Sequence, residues 1–298
     1  MSAATSFTAG AGAQPTASAD TLSIGDLLGV ARSLEAAQVE RILEHQRRTG
    51  LRFGEAAVAL GLVGATDVEQ ALARQFHYAT ATRADAHLPD ELVVARQPYS
   101  AQAEVFRSVR AQLKLRLSVA PATERRALAV VSPRDGDGKT YFAANLAVAC
   151  SQLGGRTLLI DADLRNPRVH QLFPGSRAGG LSHMLSGRDP SHHVAPLPDL
   201  PSLFVLAAGA VPPNPMELVE GPALLRLLSE VAQQFDHVIV DTPAFAHGMD
   251  APLIAAACGA SLVVLRRGRS ALAPTQALLA AVRSGGTEVV GVVLNAQP

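Results

Sequence analysis

In "AVVSPRDGDGKTYFAANLAV", Ala129 to Val148, a glycine-rich bend ends on Gly138-Lys139-Thr140. Gly136 and Gly138 let the backbone turn so that successive N–H groups face phosphate oxygens. A helix starting near Thr140 adds its positive end. Lys139 supplies a mobile cation for the β- and γ-phosphates, and the Thr140 hydroxyl is suited to bind magnesium. The first glycine of the common phosphate loop is replaced by Pro133. A dinucleotide fingerprint fails here, because its third glycine would fall on Tyr141.

Two more stretches place carboxylates at strand ends. "TLLIDADLRNP" carries Asp161 and Asp163, and "HVIVDTPAF" carries Asp241. Alone, each aspartate reads as well as a helix cap. In an open parallel sheet, however, ligands bind outside the carboxyl ends of the strands, so loop and carboxylates meet in one crevice. There Asp241 suits a magnesium-positioning role.

The elements that must hold these groups are legible from Arg126 onward. The runs "ALAVV", "TLLID", "LFVLAAG", "HVIVD", "ASLVVL" and "VVGVVLN" are continuous and rich in β-branched residues, as in parallel strands covered on both faces. Helical stretches fill the gaps, among them Tyr141 to Leu153 and Pro274 to Arg283. The pattern predicts a doubly wound, mostly parallel α/β sheet preceded by a small all-helical repeat domain.

That repeat pairs Ser23–Gln46 with Arg52–Gln75 at a period of 29 residues, Gly25 over Gly54 and Gln46 over Gln75. Each copy reads as a short helix, a turn and a second helix. The resulting division is a disordered lead over 1–20, a helical domain over 21–78, a polar linker over 79–100 and a phosphate-loop domain over 101–298. Within the last, Ala103 to Leu117 has amphipathic helical spacing.

Composition sets limits. The 298 residues are 48% hydrophobic and carry 26 basic against 26 acidic side chains, which gives no broad basic face for nucleic acid. Arg266-Arg267-Gly268-Arg269 is a local exception. Cys150 and Cys258 lie in apolar runs and read as small buried hydrophobes. The longest apolar run, Ala251 to Leu265, is too short to span a bilayer, and the chain reads as cytoplasmic.

"SPRDGDGKT", "LLIDADLRNPRVH" and "VIVDTPAF" resemble the Walker A, A′ and B motifs of bacterial tyrosine kinases, within the MinD/ParA-like branch of P-loop ATPases. "AAGAVPPNPMELV" is similar to their proline-rich loop. Pro133 then marks a subclass, and Arg134 stands where MinD itself has a signature lysine. The resemblance covers about residues 98–296 and is nearest to kinases of exopolysaccharide chain length and export.

The resemblance implies ATP and Mg2+, with Asp135, Gly136, Asp137, Gly138, Lys139, Thr140, Tyr141 and Asn295 around the nucleotide. It assigns the metal to Thr140, Asp161, Asp163 and Asp241, and catalysis to Lys139, Asp161 and Asp163. It also implies a membrane copolymerase partner that brings the chain to the inner membrane, and ring self-assembly through Glu104, Arg107 and Arg110. In the cluster-bearing members the acceptor is a tyrosine-rich tail; the tyrosines of these 298 residues are Tyr78, Tyr99 and Tyr141. The alternative is an ATPase switch without kinase activity. The helical repeat resembles the cyclic di-GMP domain of type II secretion and pilus ATPases at Arg52, Gly54, Gly61, Leu72 and Gln75.

Overall fold

The apolar runs become strands of one sheet. The computed structural model describes residues 28, 34–65, 67, 68, 71, 88–117, 126–174, 179–187, 194 and 196–296. Its strands are β1 (Ala127–Val131), β2 (Thr157–Asp161), β3 (Pro196–Leu197), β4 (Leu200–Leu206), β5 (His237–Asp241), β6 (Gly259–Arg266) and β7 (Glu288–Asn295). Their order across the sheet is β3-β4-β2-β5-β1-β6-β7. All pairings are parallel except that of β3, an antiparallel edge strand that no apolar run announces.

Side chains alternate between the two faces of a strand, and both faces here are covered. Leu128 and Val130 of β1 enter one apolar layer, whereas Ala127, Ala129 and Val131 enter the other. The first layer is closed by α3 (Val93–Arg96), α4 (Ala101–Leu117) and α5 (Lys139–Ser151). The second is closed by α7 (Leu181–Leu185), α9 (Pro222–Gln234), α10 (Asp250–Cys258) and α11 (Leu272–Ser284). Two short helices, α6 (Val169–Leu172) and α8 (Pro215–Glu220), complete this part.

The faces follow from helical spacing. In α9, Leu224, Leu227, Leu228 and Val231 are buried, one stripe at i, i+3, i+4 and i+7. Each such side chain contributes about 1.5–3 kcal/mol by leaving water. By contrast, α5 is buried almost all round, from Phe142 to Ser151. The phosphate loop therefore leads into a helix fixed inside the core.

The linker expected over 79–100 is corrected in its second half. Leu92–Ala95 are buried in the first apolar layer. Asn145 of α5 holds them: its Oδ1 accepts from Val94 N (3.1 Å) and its Nδ2 donates to Glu91 O (2.8 Å). Residues 79–87 lie outside the described residues.

The chain divides into a smaller unit, Ala11–Thr82, and a larger one from Arg83 onward. In the smaller unit, α1 (Ala36–Thr49) and α2 (Phe53–Ala59) pack around Ile42, Ala56, Ala57 and Val63. Among the described residues, no helix is long and apolar enough to cross a membrane.

Candidate functional site

The carboxyl ends of β1, β2 and β5 lie side by side. Parallel register sets Asp161 opposite Asp241 and Val130 opposite Asp241. The loop after β1 runs over these tips at the point where the connections turn to opposite sides of β1, the usual ligand crevice of such a sheet. Gly136 and Gly138 take φ +76° and +98°, the left-handed region that side chains avoid. A Cβ on Gly138 would also lie 2.3 Å from Asn295 Nδ2.

The loop is held from behind by a turn that sequence reasoning missed. Asp137 is fully buried; its Oδ2 accepts from Arg134 N (3.0 Å) and its Oδ1 from Ser270 Oγ (3.0 Å). Arg266 Nη1 donates to Gly136 O (3.0 Å), and Asn295 Nδ2 donates to Asp137 O (3.2 Å). Asp137 and Asn295 thus act on the loop with their side chains. Asp135, at the outer edge, pairs with His247 Nε2 at 2.7 Å.

The three acidic residues differ in what surrounds them. Asp161 is fully buried and spends both oxygens on backbone donors, Asp163 N (3.2 Å) on Oδ1, Arg168 N (3.2 Å) and Val169 N (3.0 Å) on Oδ2. Asp163 lines the cleft, and its Oδ1 accepts from Arg165 N (3.2 Å) and Asn166 N (2.8 Å). Asp241 is fully buried, and among the described residues neither of its oxygens has a hydrogen-bond donor in good geometry. Burial pushes its pKa up to about 6; the charge of Lys139, the Thr140 hydroxyl and the Thr242 amide oppose the rise, and Asp163 adds to it. Burial, and then the Asp241 charge, hold Asp161 well above the carboxylate range.

Buried carboxylate oxygens without donors are costly, and Asp241 has two beside a buried Lys139. A cation there would remove that cost. Among the described residues no three His, Cys, Asp or Glu side chains could hold a metal by themselves. Mg2+ does not require such a cage: it takes one or two carboxylates with phosphate oxygens and water. Asp241 and Thr140 fit that partial set, whereas Asp161 is committed to holding the turn into α6.

In front of the loop is a cleft of about 630 Å³. One wall holds Gly136, Gly138, Lys139, Thr140 and Arg266; the other holds Asp163, Asn166 and Arg168 with Asp90, Glu91 and Val93. Arg168 makes a two-pronged pair with Glu91 (2.7 and 2.8 Å). Arg165 does the same with Asp250 at the start of α10, at 3.0–3.2 Å. The loop carrying Asp163 is thus braced on both sides. Both arginines stand within "LLIDADLRNPRVH", but their partners lie 77 and 85 residues away and leave no local signal.

Other expected sites stand as follows. Glu104 and Arg107 form an (i, i+3) pair at 3.1 Å on α4. Arg107 also bonds Pro98 O, and Arg110 bonds Ala149 O at the end of α5. In the smaller unit Arg52 is exposed. Gly54 is where α2 meets Val68, whose Cγ1 would lie 2.5 Å from an added Cβ. Gly61, at φ +67°, turns the chain after α2. Packing and turning account for both glycines, and Leu72 and Gln75 lie outside the described residues. Cys150 and Cys258 are buried thiols, and burial pushes Cys150 up to about 12.

No family model matches the chain. It is 34% identical over 205 residues to EpsB of Ralstonia solanacearum, covering 69% of this chain and 27% of that protein. It is 31% identical over 193 residues to the tyrosine-protein kinase CpsD of Streptococcus agalactiae, covering 64% of this chain and 82% of that protein. The kinase domain of the Escherichia coli tyrosine kinase ETK superposes with a TM-score of 0.65 at 29% identity, covering 72% of this chain and 84% of that domain. The chain spans about a quarter of EpsB and most of CpsD.

Proposed function

The chain belongs to the bacterial tyrosine-protein kinases, and from that premise we propose that it transfers the γ-phosphoryl group of ATP to protein tyrosine in exopolysaccharide chain-length control and export. The observation that carries the reading is Asp241: a buried carboxylate with no donor in good geometry among the described residues, beside a buried lysine, at the tip of the strand that neighbours a phosphate-type loop.

Each residue then has a task. The backbone around Gly136 and Gly138 cradles phosphate, and Lys139 compensates charge on the β- and γ-oxygens. Thr140 and Asp241 would hold Mg2+, which would supply positive charge against the negative charge that develops during transfer. Asp163, facing the cleft, accepts the proton of the tyrosine hydroxyl. Asp161 acts one step back, keeping Asp163 and the start of α6 in place. Little else is required, because phosphoryl transfer rests on alignment and charge stabilisation.

A partner in the membrane and self-assembly through the α4 face complete the proposal. One experiment addresses its centre. The protein is incubated with labelled Mg-ATP and a Glu/Tyr copolymer, and wild type is compared with Lys139→Ala. Phosphotyrosine is expected from wild type, with at least a hundredfold loss in the variant. Free phosphate without phosphotyrosine would leave an ATPase switch in place of the kinase.

A further inference from the structure

We propose that Arg266 is the platform for the nucleotide base, and that its flat guanidinium makes the cleft prefer a purine. The inference rests on the kinase reading above and names a residue that selects its phosphoryl donor. Arg266 opens the basic stretch Arg266-Arg267-Gly268-Arg269, which has no part in the transfer itself. The direction of the nucleotide follows from the sheet order β3-β4-β2-β5-β1-β6-β7. Asp241 ends β5 and Asp163 stands two residues beyond β2, so the γ-phosphate belongs on that side of β1. A triphosphate laid over residues 136–140 then has its base on the other side, at the ends of β6 and β7.

At that end the cleft is lined by Arg266 and Asn295, the last residues of β6 and β7 and partners in register. Asn295 turns its amide to the loop, donating to Asp137 O. Tyr141, the aromatic residue of the lining, packs edge-on against Phe106 with ring centroids 5.8 Å apart. The guanidinium of Arg266 is then the flat group that a base can cover. Guanidinium planes stack on π faces, and they are weakly hydrated, so covering one costs little. A two-ring purine covers more of the plane than a one-ring pyrimidine.

The platform is fixed at both ends. Arg266 N donates to Ser270 Oγ (2.8 Å), and Arg266 O accepts from Arg269 N (3.1 Å) and Ser270 N (2.9 Å). Gly268, at φ +73°, lets the chain close that turn. At the far end of the side chain, Nη1 donates to Gly136 O (3.0 Å). One prong of the guanidinium therefore holds the phosphate loop while the side chain lines the cleft. The same turn sends Ser270 Oγ to the buried Asp137, so platform and loop are built as one piece.

The test titrates the full-length protein with Mg-ATP, Mg-CTP and Mg-tripolyphosphate, the last having no base. Wild type is compared with Arg266→Lys, which keeps a charged donor for Gly136 O but has no plane. Wild type should bind Mg-ATP about tenfold tighter than Mg-CTP. Arg266→Lys should cut that preference about fivefold while its Mg-tripolyphosphate affinity stays within about twofold of wild type. Arg266→Ala should lose the preference and also weaken Mg-tripolyphosphate, because Gly136 O loses its donor; the lysine variant decides if the alanine variant does not fold. An Arg266→Lys protein that weakens all three ligands by one factor, or none of them, would overturn the proposal and leave Arg266 a loop clamp. Wild type that binds Mg-ATP and Mg-CTP alike would overturn it too. The Glu/Tyr copolymer keeps the two readings apart. Phosphotyrosine from wild type with the purine preference intact in Arg266→Lys would remove the platform and keep the kinase. A preference lost in Arg266→Lys, with only free phosphate from wild type, would keep the platform and remove the kinase.

Discussion

The buried Asp241 carboxylate, with no donor in good geometry among the described residues, lowers stability with a definite sign in pH. An unfolded aspartate titrates near 3.9, whereas burial sets Asp241 at about 6. Between these values the folded state holds the extra proton, so stability is highest at low pH and falls as pH rises from about 4 to about 6. The full span is worth about 3 kcal/mol. Replacing Asp241 with Asn removes the ionisation but keeps the shape. We expect Asp241→Asn to match wild type in urea unfolding near pH 4 and to exceed it by up to about 3 kcal/mol at pH 7. The same variant should lose Mg-ATP affinity, measured by fluorescence titration, by at least tenfold. In wild type, protons compete with the metal for this group, and Mg2+ affinity should weaken about tenfold per pH unit below pH 6. A variant no more stable than wild type at pH 7 would mean that Asp241 finds compensation in the fold.

At the scale of elements, α5 does two jobs, and Asn145 joins them. From inside α5 it bonds Val94 N and Glu91 O while also donating to Tyr141 O (3.0 Å). Gln152, just beyond the helix, donates to Val94 O (3.2 Å). The phosphate-loop helix therefore carries the wall that brings Asp90, Glu91 and Val93 to the cleft. Asn145→Ala leaves buried backbone groups without partners, at about 1–3 kcal/mol. It should lower the urea midpoint and weaken nucleotide binding, with kcat changing less than KM. This wall was the part least legible from sequence. Leu92–Ala95 form four apolar residues between polar flanks and prolines, and the asparagine that holds them lies about 50 residues on. The strands were legible, because a sheet covered on both faces spells each strand as an unbroken apolar run. The two-residue β3 was not, being too short to show any pattern. The motif residues were legible as a set, but their different surroundings were not: Asp161 and Asp241 look alike in the sequence, and only register and hydrogen bonding make Asp161 a brace and leave Asp241 without a donor in good geometry among the described residues.

At the scale of the whole molecule, a chain with no net charge has no strong self-repulsion to keep copies apart, and the question becomes which groups α4 still offers a neighbour. Sequence spacing treats Glu104, Arg107 and Arg110 as one motif. The fold separates them. Arg110 bonds Ala149 O inside its own chain, and Arg107, with 18% of its side chain exposed, bonds Pro98 O as well as Glu104. Glu104, by contrast, has 66% of its side chain exposed. An exposed pair of this kind contributes at most about 0.5 kcal/mol to a monomer, so Glu104→Ala should leave thermal unfolding nearly unchanged. Arg110→Ala should lower it, because a buried carbonyl at the end of α5 loses its donor. If α4 is the assembly face, the order reverses in solution: sedimentation velocity with Mg-ATP should show Glu104→Ala several-fold weaker in self-association at unchanged stability. A Glu104→Ala protein that assembles like wild type would place the contact elsewhere on the surface and leave the Glu104–Arg107 pair as a local feature of one helix.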